Sequence, residues 1–356
     1  MNTKNNASAK PLPNKKAGET AHEKNLAQAS EHAASHEHSY DLALFENPCR
    51  DYFASIKVNN KTHSLTPINS RRIFHGRGQC YANWQWCTLD VFTPVVLLTV
   101  FATPSQAQLT AAIACVKKYL CAPFLFFAVQ RRDLNGAPYF WEVGKPCDLP
   151  QVVAKRNQQE YLLDFNQQNC GYFLDMEPGR LWLEDLIKKN NGARVLNLFA
   201  YTCAFSVVAI AAGASQVVNV DLSRRSLTTG RENHRLNNHD TQKIKFLAVD
   251  ILKSWGKLKK LGPYDIIVVD PPSFQKGSFV ATKDYQKIVR RLPELISPKG
   301  QVLACLNAPE FGSDFVKTIF SEQAPTLTFT QQLSPSADFP DIDAEQQLKL
   351  LVYQAC

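Results

Sequence analysis

Three aspartates each follow an apolar run that is typical of a buried β-strand. Asp221, Asp250 and Asp270 come directly after the runs VVNV, FLAV and DIIVV. In an open α/β sheet, ligands bind beyond the carboxyl ends of the strands, and an ionised carboxylate is a hydrogen-bond acceptor. A single aspartate at a strand end is more often a helix cap than a ligand-binding group. Three in succession favour a site for hydroxyl and amino groups, such as those of a nucleoside.

The spacing of Asp221 narrows the choice of ligand. It lies 24 residues after Asn197, about the offset at which an acidic residue binds ribose hydroxyls in dinucleotide folds. The turn after Asn197 has no GxGxxG pattern, so close approach of the backbone to a pyrophosphate is not indicated. A nucleoside without phosphates fits better. S-adenosylmethionine is such a nucleoside, with a ribose, an adenine and an amino acid.

The segment that must position these aspartates alternates apolar strands with helices. Strands are expected at 194–199, 216–220, 244–249, 264–269 and 301–306, and helices at 178–189, 203–213, 223–237, 283–296 and 311–322. This alternation predicts an α/β fold with a mostly parallel sheet that is covered on both faces. Two final β-like runs, 326–333 and 346–353, have no helix between them and are expected to pair antiparallel at the sheet edge.

The chain is predicted to have three parts. Residues 1–39 contain only two large apolar side chains, too few to offset the entropy of ordering, and are expected to be a disordered tail. Residues 40–150 are expected to form a small α+β accessory domain, with strands on either side of Pro94, a helix capped by Thr103 and a hairpin at an Asn-Gly turn. Residues 151–356 form the larger α/β domain.

Composition excludes several classes of protein. The 356 residues are 45% hydrophobic and 20% charged, which is typical of a globular chain and rules out collagen-like, coiled-coil and wholly disordered proteins. Ten cysteines form no CxxC pair, so reduced thiols and a cytoplasmic location are expected. No signal peptide, membrane span or metal site is predicted, and the oligomeric state stays open. The tail histidines are expected to be solvated: His22, His32, His36 and His38.

Five motifs in the larger domain carry a family resemblance. In chain order they are GYFLDMEPGR, LNLFAYTCAFSVVA, VVNVDLS, AVDIL and DPPSF, within about residues 160–353. This region resembles the Rossmann-like catalytic domain of class I S-adenosylmethionine-dependent methyltransferases. It is most similar to the bacterial branch that methylates bases of large-subunit ribosomal RNA. The first cofactor motif of that branch commonly has glycine where this chain has Cys203.

The resemblance implies a cofactor-binding role for particular side chains. Phe199, Tyr201 and Thr202 would line the methionine moiety of S-adenosylmethionine. Asp221 would hold the ribose hydroxyls and Asp250 would meet the adenine amino group. Arg180 would support the amino-acid end of the cofactor. The same motifs add three further cofactor-binding candidates: Asn197, Ser223 and Asp270.

The DPPSF motif has the composition expected of a site for the methyl acceptor. Methyl transfer is an in-line displacement, so an enzyme has mainly to position the acceptor and exclude water. Pro271 and Pro272 fix the backbone and remove two N–H donors, which leaves carbonyl groups and the Asp270 carboxylate to accept hydrogen bonds from a base. Phe274 is expected to stack on that base.

Cys305, near the end of the strand expected at 301–306, leaves two interpretations open. Methylation of carbon 5 of a pyrimidine needs a thiolate to attack carbon 6, and cytosine-C5 members of the resembling branch carry a cysteine near this strand. A cysteine in an apolar strand is equally well explained as a small core residue. His234 and His239 are expected at the surface.

The charge distribution favours an RNA partner. The net charge of +8 hides a basic stretch: residues 224–260 hold 10 basic and 3 acidic side chains, whereas 300–356 hold 2 and 7. Arg71 to Arg77 mixes cations with Phe74, a composition suited to phosphate contact and base stacking. The sequence therefore predicts a methyltransferase of RNA, most simply of 23S ribosomal RNA. The alternatives are a methyltransferase of a small molecule or protein, and a non-catalytic RNA-binding protein that retains the fold.

Overall fold

Two β-sheets carry the fold in the computed structural model, which describes residues 40–61, 68–272, 274–275 and 279–356. Both sheets belong to one compact unit, Tyr40–Cys356. The predicted tail, 1–39, lies outside the described residues. The predicted domain boundary near residue 150 stays a prediction.

The first sheet has five strands and is accompanied by two helices. Its strands lie in the order β1 to β5, and all neighbours are antiparallel except β3 and β4, which are parallel. The strands are β1 Arg71–His75, β2 Cys87–Phe92, β3 Val95–Val100, β4 Phe126–Arg131 and β5 Tyr139–Val143, and the helices are α1 Ala43–Lys61 and α2 Gln106–Tyr119. Helix α2 makes the crossover that a parallel pair requires. The predicted strands around Pro94 and the predicted hairpin are confirmed.

The predicted start of helix α2 is wrong by two residues. Ser105 caps the helix: its hydroxyl accepts a hydrogen bond from the Gln108 amide at 3.2 Å, and the Gln108 side chain accepts from the Ser105 amide at 3.4 Å. This reciprocal pair is the capping box that the spacing Ser-x-x-Gln predicts. The Thr103 hydroxyl instead donates to Asp133 at 3.2 Å. Reciprocal capping therefore outweighs the proline signal that pointed to Thr103.

The second sheet has seven strands in the order β10-β9-β8-β11-β14-β16-β15. These strands are β8 Arg194–Leu198, β9 Gln216–Asp221, β10 Ile244–Ala248, β11 Tyr264–Val269, β14 Ile296–Leu306, β15 Leu327–Gln332 and β16 Lys349–Ala355. The first five pair in parallel, and β16 and β15 pair antiparallel at the edge. The predicted fold class is confirmed. The strand order reverses between β8 and β11, so the topological switch point lies there.

Helices cover both faces of this sheet. They are α3 Glu177–Lys189, α4 Ala204–Ala211, α5 Arg224–Leu236, α6 Trp255–Leu261, α7 Ala281–Val289 and α8 Ser313–Gln323. Leu196 and Ile267 pack with Tyr285 on one face, whereas Val195 and Ile266 pack on the other. Two short hairpins complete the fold: β6 Val153–Arg156 with β7 Gln159–Leu162, and β12 Phe274–Gln275 with β13 Phe279–Val280.

Helix α7 ends seven residues before the predicted limit of 296. A 3₁₀ turn, Leu292–Glu294, follows it, and β14 begins at Ile296. Pro293 cannot donate a helical hydrogen bond and disfavours helical geometry at Leu292. The proline therefore explains the early end of the helix.

The first sheet is joined to the second by apolar and polar contacts. Phe92 and Leu97 pack in one cluster with Tyr161 of β7 and Val207 of α4. At the other side, the Ile342 amide donates to the Gly78 carbonyl at 3.0 Å. These contacts place the first sheet beside the carboxyl-edge loops of the second. Among the helices of the described residues, none is long and apolar enough to span a bilayer.

Candidate active site

The three aspartates predicted to bind a ligand lie at one edge of the second sheet. Asp221 is the last residue of β9 and is in register with Ala248 of β10, so Asp250 follows two residues beyond that pair. Asp270 follows β11, whose Val269 is in register with Leu198 of β8. Because these strands are parallel, their carboxyl ends meet at the same edge. The sheet therefore brings the three carboxylates to its carboxyl edge, with Asp270 next to the switch point.

The loop between β8 and α4 has an unusual backbone. Phe199, Tyr201 and Cys203 adopt left-handed conformations, with φ values of 58°, 46° and 64°. Such conformations cost a non-glycine residue about 1–3 kcal/mol each and persist where the surroundings enforce them. The Tyr201 amide donates to an Asp221 oxygen at 2.8 Å, and the Thr202 hydroxyl donates to the Gly171 carbonyl at 2.7 Å. Contacts on two sides thus fix the loop next to Asp221.

Asp221 is held in place by backbone donors. One carboxylate oxygen accepts from the Tyr201 amide and the other from the Ser223 amide at 2.7 Å. Burial raises the pKa of Asp221, and the backbone hydrogen bonds oppose that rise. Each oxygen keeps a further lone pair, so the carboxylate could also accept hydrogen bonds from a ribose diol. Ser223 serves as the N-cap of α5, with its hydroxyl accepting from the Ser226 amide at 3.1 Å.

Asp250 caps a short turn at the same edge. One of its oxygens accepts from the Leu252 amide at 2.9 Å, and the other lies 3.4 Å from the Lys253 ammonium. Its side chain is 35% exposed. The capping contact leaves acceptor capacity on both oxygens, so Asp250 could still accept a hydrogen bond from an amino group.

Arg180 is a buried cation on α3 with several fixed partners. It donates to Glu177 at 3.0 Å and to the Phe173 carbonyl at 2.9 Å, and its guanidinium lies 4.3 Å from the centre of the Tyr172 ring. Only 1% of the residue is exposed. The Phe173 ring lies 5.5 Å from that of Tyr201. Arg180 therefore orders the segment that packs against the cofactor loop.

Asn197 and Phe199, two of the predicted cofactor residues, make side-chain contacts within the protein, and their contacts with the cofactor stay a prediction. Asn197 is 1% exposed and donates to the side chain of Asn219 at 2.9 Å, because the two are in register on β8 and β9. Phe199 is half-buried and packs edge-on against Phe279 at 5.2 Å. Both side chains face the protein interior.

The prediction that His234 lies at the surface is wrong. Its ring is fully buried and lies 2.9 Å from the Ser206 hydroxyl and 2.9 Å from the ring of His239. His234 follows Leu227 by seven residues and so lies on the buried face of α5. Burial and the nearby His239 lower the pKa of His234 to about 3, so the ring is neutral.

Cys203 and Gly230 form a complementary pair behind the cofactor loop. Cys203 is fully buried, and a Cβ at Gly230 would lie 2.4 Å from its sulfur. Because Gly230 of α5 has no side chain, there is room for the cysteine that replaces the usual glycine of the motif. The close approach of this loop to α5 is achieved with the small residue on the opposite side.

We expect this pair to be energetically coupled. Gly230→Ala should destabilise the protein by about 1–3 kcal/mol through overpacking. Cys203→Gly in the same chain should recover most of that loss, since it removes the clashing sulfur and suits the left-handed backbone. Urea unfolding of the four proteins of the double-mutant cycle measures the coupling. Additive effects would contradict the packing described.

The acceptor side of the site centres on Asp270. It is half-buried, Pro271 is buried and Pro272 is half-buried, while the side chain of Phe274 lies outside the described residues. Burial, together with the nearby Asp175, raises the pKa of Asp270 to about 7, and Arg180 opposes the rise. Its carboxyl group therefore titrates near neutral pH.

Asp175 is a neighbour of Asp270 that sequence reasoning missed. It lies in the 3₁₀ turn Leu174–Met176, and burial raises its pKa, whereas Arg72 and Arg180 act in the opposite direction. It belongs to the motif GYFLDMEPGR, which offers a signal, but no strand ends directly before it. Its proximity to Asp270 depends on the tertiary fold.

Cys305 is the penultimate residue of β14, as predicted, and its side chain lies in the core. It is fully buried and packs with Met176, Phe205 and Leu350. Burial, followed by the charges of Asp270 and Asp175, raises the pKa of its thiol well above the usual value. The first residue beyond β14 is Asn307, which is exposed. This environment disfavours a thiolate at Cys305.

In the segment predicted to contact RNA, Arg71 to Arg77, Arg72 and Phe74 contact other parts of the protein. Arg72 makes a bidentate ion pair with Asp90 at 2.7 and 3.0 Å. Phe74 is 2% exposed and packs against the ring of Phe45 at 4.9 Å. Phe74 is therefore unavailable for base stacking, because side chains alternate between the two faces of a strand and Phe74 lies on the buried face of β1. Arg77 remains at the surface.

Comparison with known proteins decides the family. A family model described as "S-adenosylmethionine-dependent methyltransferase" matches residues 71–354. The chain belongs to this family. As a methyltransferase of this family it uses S-adenosylmethionine as cofactor. The carboxyl-edge residues fit that group, because Asp221 keeps free acceptor positions beside a fixed loop and Asp250 keeps acceptor capacity at the next strand.

Two curated relatives of the methyltransferase are named for ribosomal RNA. YwbD of Bacillus subtilis, provisionally named a ribosomal RNA large subunit methyltransferase, is 31% identical over 210 residues, covering 56% of this chain and 52% of that protein. Ribosomal RNA large subunit methyltransferase I of an Enterobacter species is 32% identical over 268 residues, covering 72% and 67%. The chain thus spans about half the length of the Bacillus relative.

Two solved structures show the same fold as the methyltransferase. SMU.776, a protein assigned as a methyltransferase and crystallised with SAH, superposes with a TM-score of 0.75 at 24% identity, covering 89% of this chain and 82% of that one. A SAM-dependent methyltransferase from Agrobacterium tumefaciens gives a TM-score of 0.61 at 18% identity, covering 81% and 90%. At these identities the likeness concerns the fold alone.

Proposed function

We propose that this chain methylates a base of RNA, most simply of 23S ribosomal RNA in the cytoplasm. The observation that carries the proposal is Asp270, a half-buried carboxyl group followed by two prolines at the switch point and close to the cofactor loop. The curated relatives named for large-subunit ribosomal RNA support it. The basic stretch beginning at Arg224 supports a polyanionic partner.

The cofactor-binding residues are proposed as follows. Asp221 holds the ribose, Asp250 meets the adenine, and Tyr201 and Thr202 form the wall of the methionine pocket. Arg180 orders that wall, Ser223 positions the helix behind Asp221, and S-adenosylmethionine supplies an electrophilic methyl group when bound. Asn197 and Phe199 support the loop from the interior.

Asp270 orients the acceptor base and takes its proton. Its ionised carboxylate accepts a hydrogen bond from a base N–H, with Pro271 and Pro272 fixing the backbone that presents it. As the nitrogen gains the methyl group, its N–H proton passes to Asp270 and then to solvent. With a pKa of about 7, Asp270 can both take up the base proton and release it to solvent near neutral pH.

We infer that the acceptor atom is a nitrogen rather than a pyrimidine carbon 5. The alternative requires a thiolate, and burial of Cys305 beside two carboxylates opposes its ionisation. We therefore expect Cys305→Ala to keep RNA methylation within about 3-fold of the wild-type rate, with a loss of about 1 kcal/mol in unfolding free energy. A loss of methylation with unchanged cofactor affinity would restore the covalent route.

The proposed function is tested by transfer of labelled methyl groups. Purified protein and labelled S-adenosylmethionine are offered deproteinised large-subunit RNA, small-subunit RNA, cellular protein and a small-molecule extract in separate reactions. We expect label in large-subunit RNA. Label only in the protein or small-molecule reaction would favour the alternative substrates.

A further inference from the structure

Two arginines that follow strands of the first sheet lie over one aromatic ring and form no ion pair with a described carboxylate. The Arg77 guanidinium is 4.4 Å and that of Arg132 is 5.4 Å from the centre of the Phe101 ring. Arg77 is exposed, and Arg132 and Phe101 are half-buried. Within the described part of the chain, neither arginine has an ion pair, whereas neighbouring Arg131 pairs with Asp133 at 2.6 Å. We call Arg77, Phe101 and Arg132 the arginine platform.

The arginine platform carries two charges that no ion pair among the described residues balances. Desolvation, together with the charges of Arg72 and Arg132, lowers the pKa of Arg77 against the opposing effect of Asp175, and desolvation lowers that of Arg132. The pKa of Arg131 is raised, because its hydrogen bond to Asp133 stabilises the cation. The contrast indicates a positive potential on the platform that an anion would relieve. Contact with the Phe101 ring also restricts the guanidinium groups, which lowers the entropy lost on binding.

The arginine platform is connected to the cofactor loop through Asn169. Arg132 donates to the Asn169 side chain at 2.9 Å, and the Asn169 carbonyl accepts from the Tyr201 hydroxyl at 3.0 Å. Arg77 interacts electrostatically with Asp175, which also acts on Asp270. An anion on the platform would therefore lie beside the segment that holds Tyr201 of the cofactor loop.

We propose that the arginine platform binds the sugar-phosphate backbone of RNA next to the methylated base. This inference rests on the proposed function and adds the surface that positions the substrate. Guanidinium groups match phosphate oxygens with paired hydrogen bonds, and phosphate contacts fix the register of a nucleic acid on a protein. The partner is the phosphodiester backbone, because the platform offers two cations joined to the reaction site rather than an enclosed anion pocket.

Steady-state methylation of RNA by Arg77→Gln tests the platform. We expect the KM for RNA to rise about 10-fold, with kcat changed less than about 2-fold, and the slope of log affinity against log salt to shrink by about 1. Arg77→Lys should retain part of the affinity. Arg50→Gln is the matched control, since it removes the same charge from an exposed arginine that pairs with Asp51. Its KM and salt slope should equal those of the wild type.

Each other outcome overturns the assignment. If Arg77→Gln and Arg50→Gln behave alike while the wild type methylates RNA, the platform is not the RNA surface and the proposed function stands. If the wild type neither binds nor methylates RNA, the inference and the proposed function are both wrong. If inorganic phosphate binds the wild type more tightly than Arg77→Gln while the two proteins have the same KM for RNA, the platform is a site for free phosphate.

Discussion

Replacing Asp270 with asparagine should lower kcat/KM for RNA methylation at least about 100-fold, the range typical of losing a positioned proton acceptor. An amide keeps the size of the side chain but cannot accept the proton of a base N–H. Cofactor affinity should fall far less, because the ribose and adenine contacts are assigned to Asp221 and Asp250. Calorimetry with S-adenosylmethionine and steady-state methylation separate the two effects.

The pH dependence of the same variant gives a second readout. Since the pKa of Asp270 is raised to about 7, the wild-type kcat/KM should fall about 10-fold per pH unit below that value and level off above it. The asparagine variant should show a low, flat profile in this range. A wild-type profile flat between pH 5.5 and 8.5, or an active variant, would remove Asp270 from the mechanism.

Asp270→Asn should raise the stability of the fold at pH 8 although it lowers activity. A carboxyl group whose folded pKa is raised above its unfolded value destabilises the fold as pH rises, with no effect below the unfolded pKa and the full effect above the folded pKa. For Asp270 that window runs from about pH 4 to about pH 7. Asp270→Asn should therefore unfold at higher temperature than the wild type at pH 8 and not at pH 4. Inactivity with raised stability cannot arise from misfolding.

Replacing Asp221 with asparagine should weaken S-adenosylmethionine binding about 10- to 100-fold. Hydrogen bonds to a charged acceptor contribute about 1.5–3 kcal/mol each, and an amide offers one acceptor atom where the carboxylate offers two. The acceptor atom that is lost also holds either the Tyr201 or the Ser223 amide, so the loop loosens as well. Isothermal calorimetry measures the change directly.

Asp240→Asn is the matched control for Asp221. Asp240 also caps a turn, accepting from the Gln242 amide at 3.0 Å, but it precedes β10 and so lies at the amino edge of the sheet. Its replacement should leave cofactor affinity unchanged. Equal losses in both variants would indicate a general effect on the fold and would contradict the ribose assignment.

The alternating pattern of the sequence was sufficient to predict the second sheet and its ligand edge. Apolar runs that end in Asp221, Asp250 and Asp270 define the carboxyl edge whatever the details of packing, because parallel strands align their ends. The antiparallel edge followed from the missing helix before β16. Helix ends were predicted less accurately, because each depends on a local interaction. Ser105 sets the start of α2, and Pro293 explains the early end of α7.

Side-chain direction was the main information that the sequence lacked. Asn197 and Asn219 occupy equivalent positions on β8 and β9, so their register pairs their side chains inside the sheet. The sequence already showed this, because each asparagine is the fourth residue of its strand. Asp175 and Arg132 gave no such signal, since their importance comes from residues far away in the chain.

The balance between Cys203 and Gly230 illustrates why a motif position cannot be judged alone. The glycine usual in the first motif is absent, yet the loop keeps its left-handed backbone and its contact with α5. The space required was created on the facing helix, about 30 residues later in the chain. A substitution within a motif therefore signals a change of function only after its packing partner is known.

The most direct test of RNA base methylation is mass spectrometry of nucleosides. Ribosomal RNA from a strain lacking this gene is incubated with the purified protein and S-adenosylmethionine carrying a deuterated methyl group, then digested to nucleosides. We expect one deuterated nucleoside, labelled on a nitrogen of its base and derived from large-subunit RNA, with no label from Asp270→Asn. RNA without deuterium, in the presence of wild-type protein that binds S-adenosylmethionine, would contradict the proposed function.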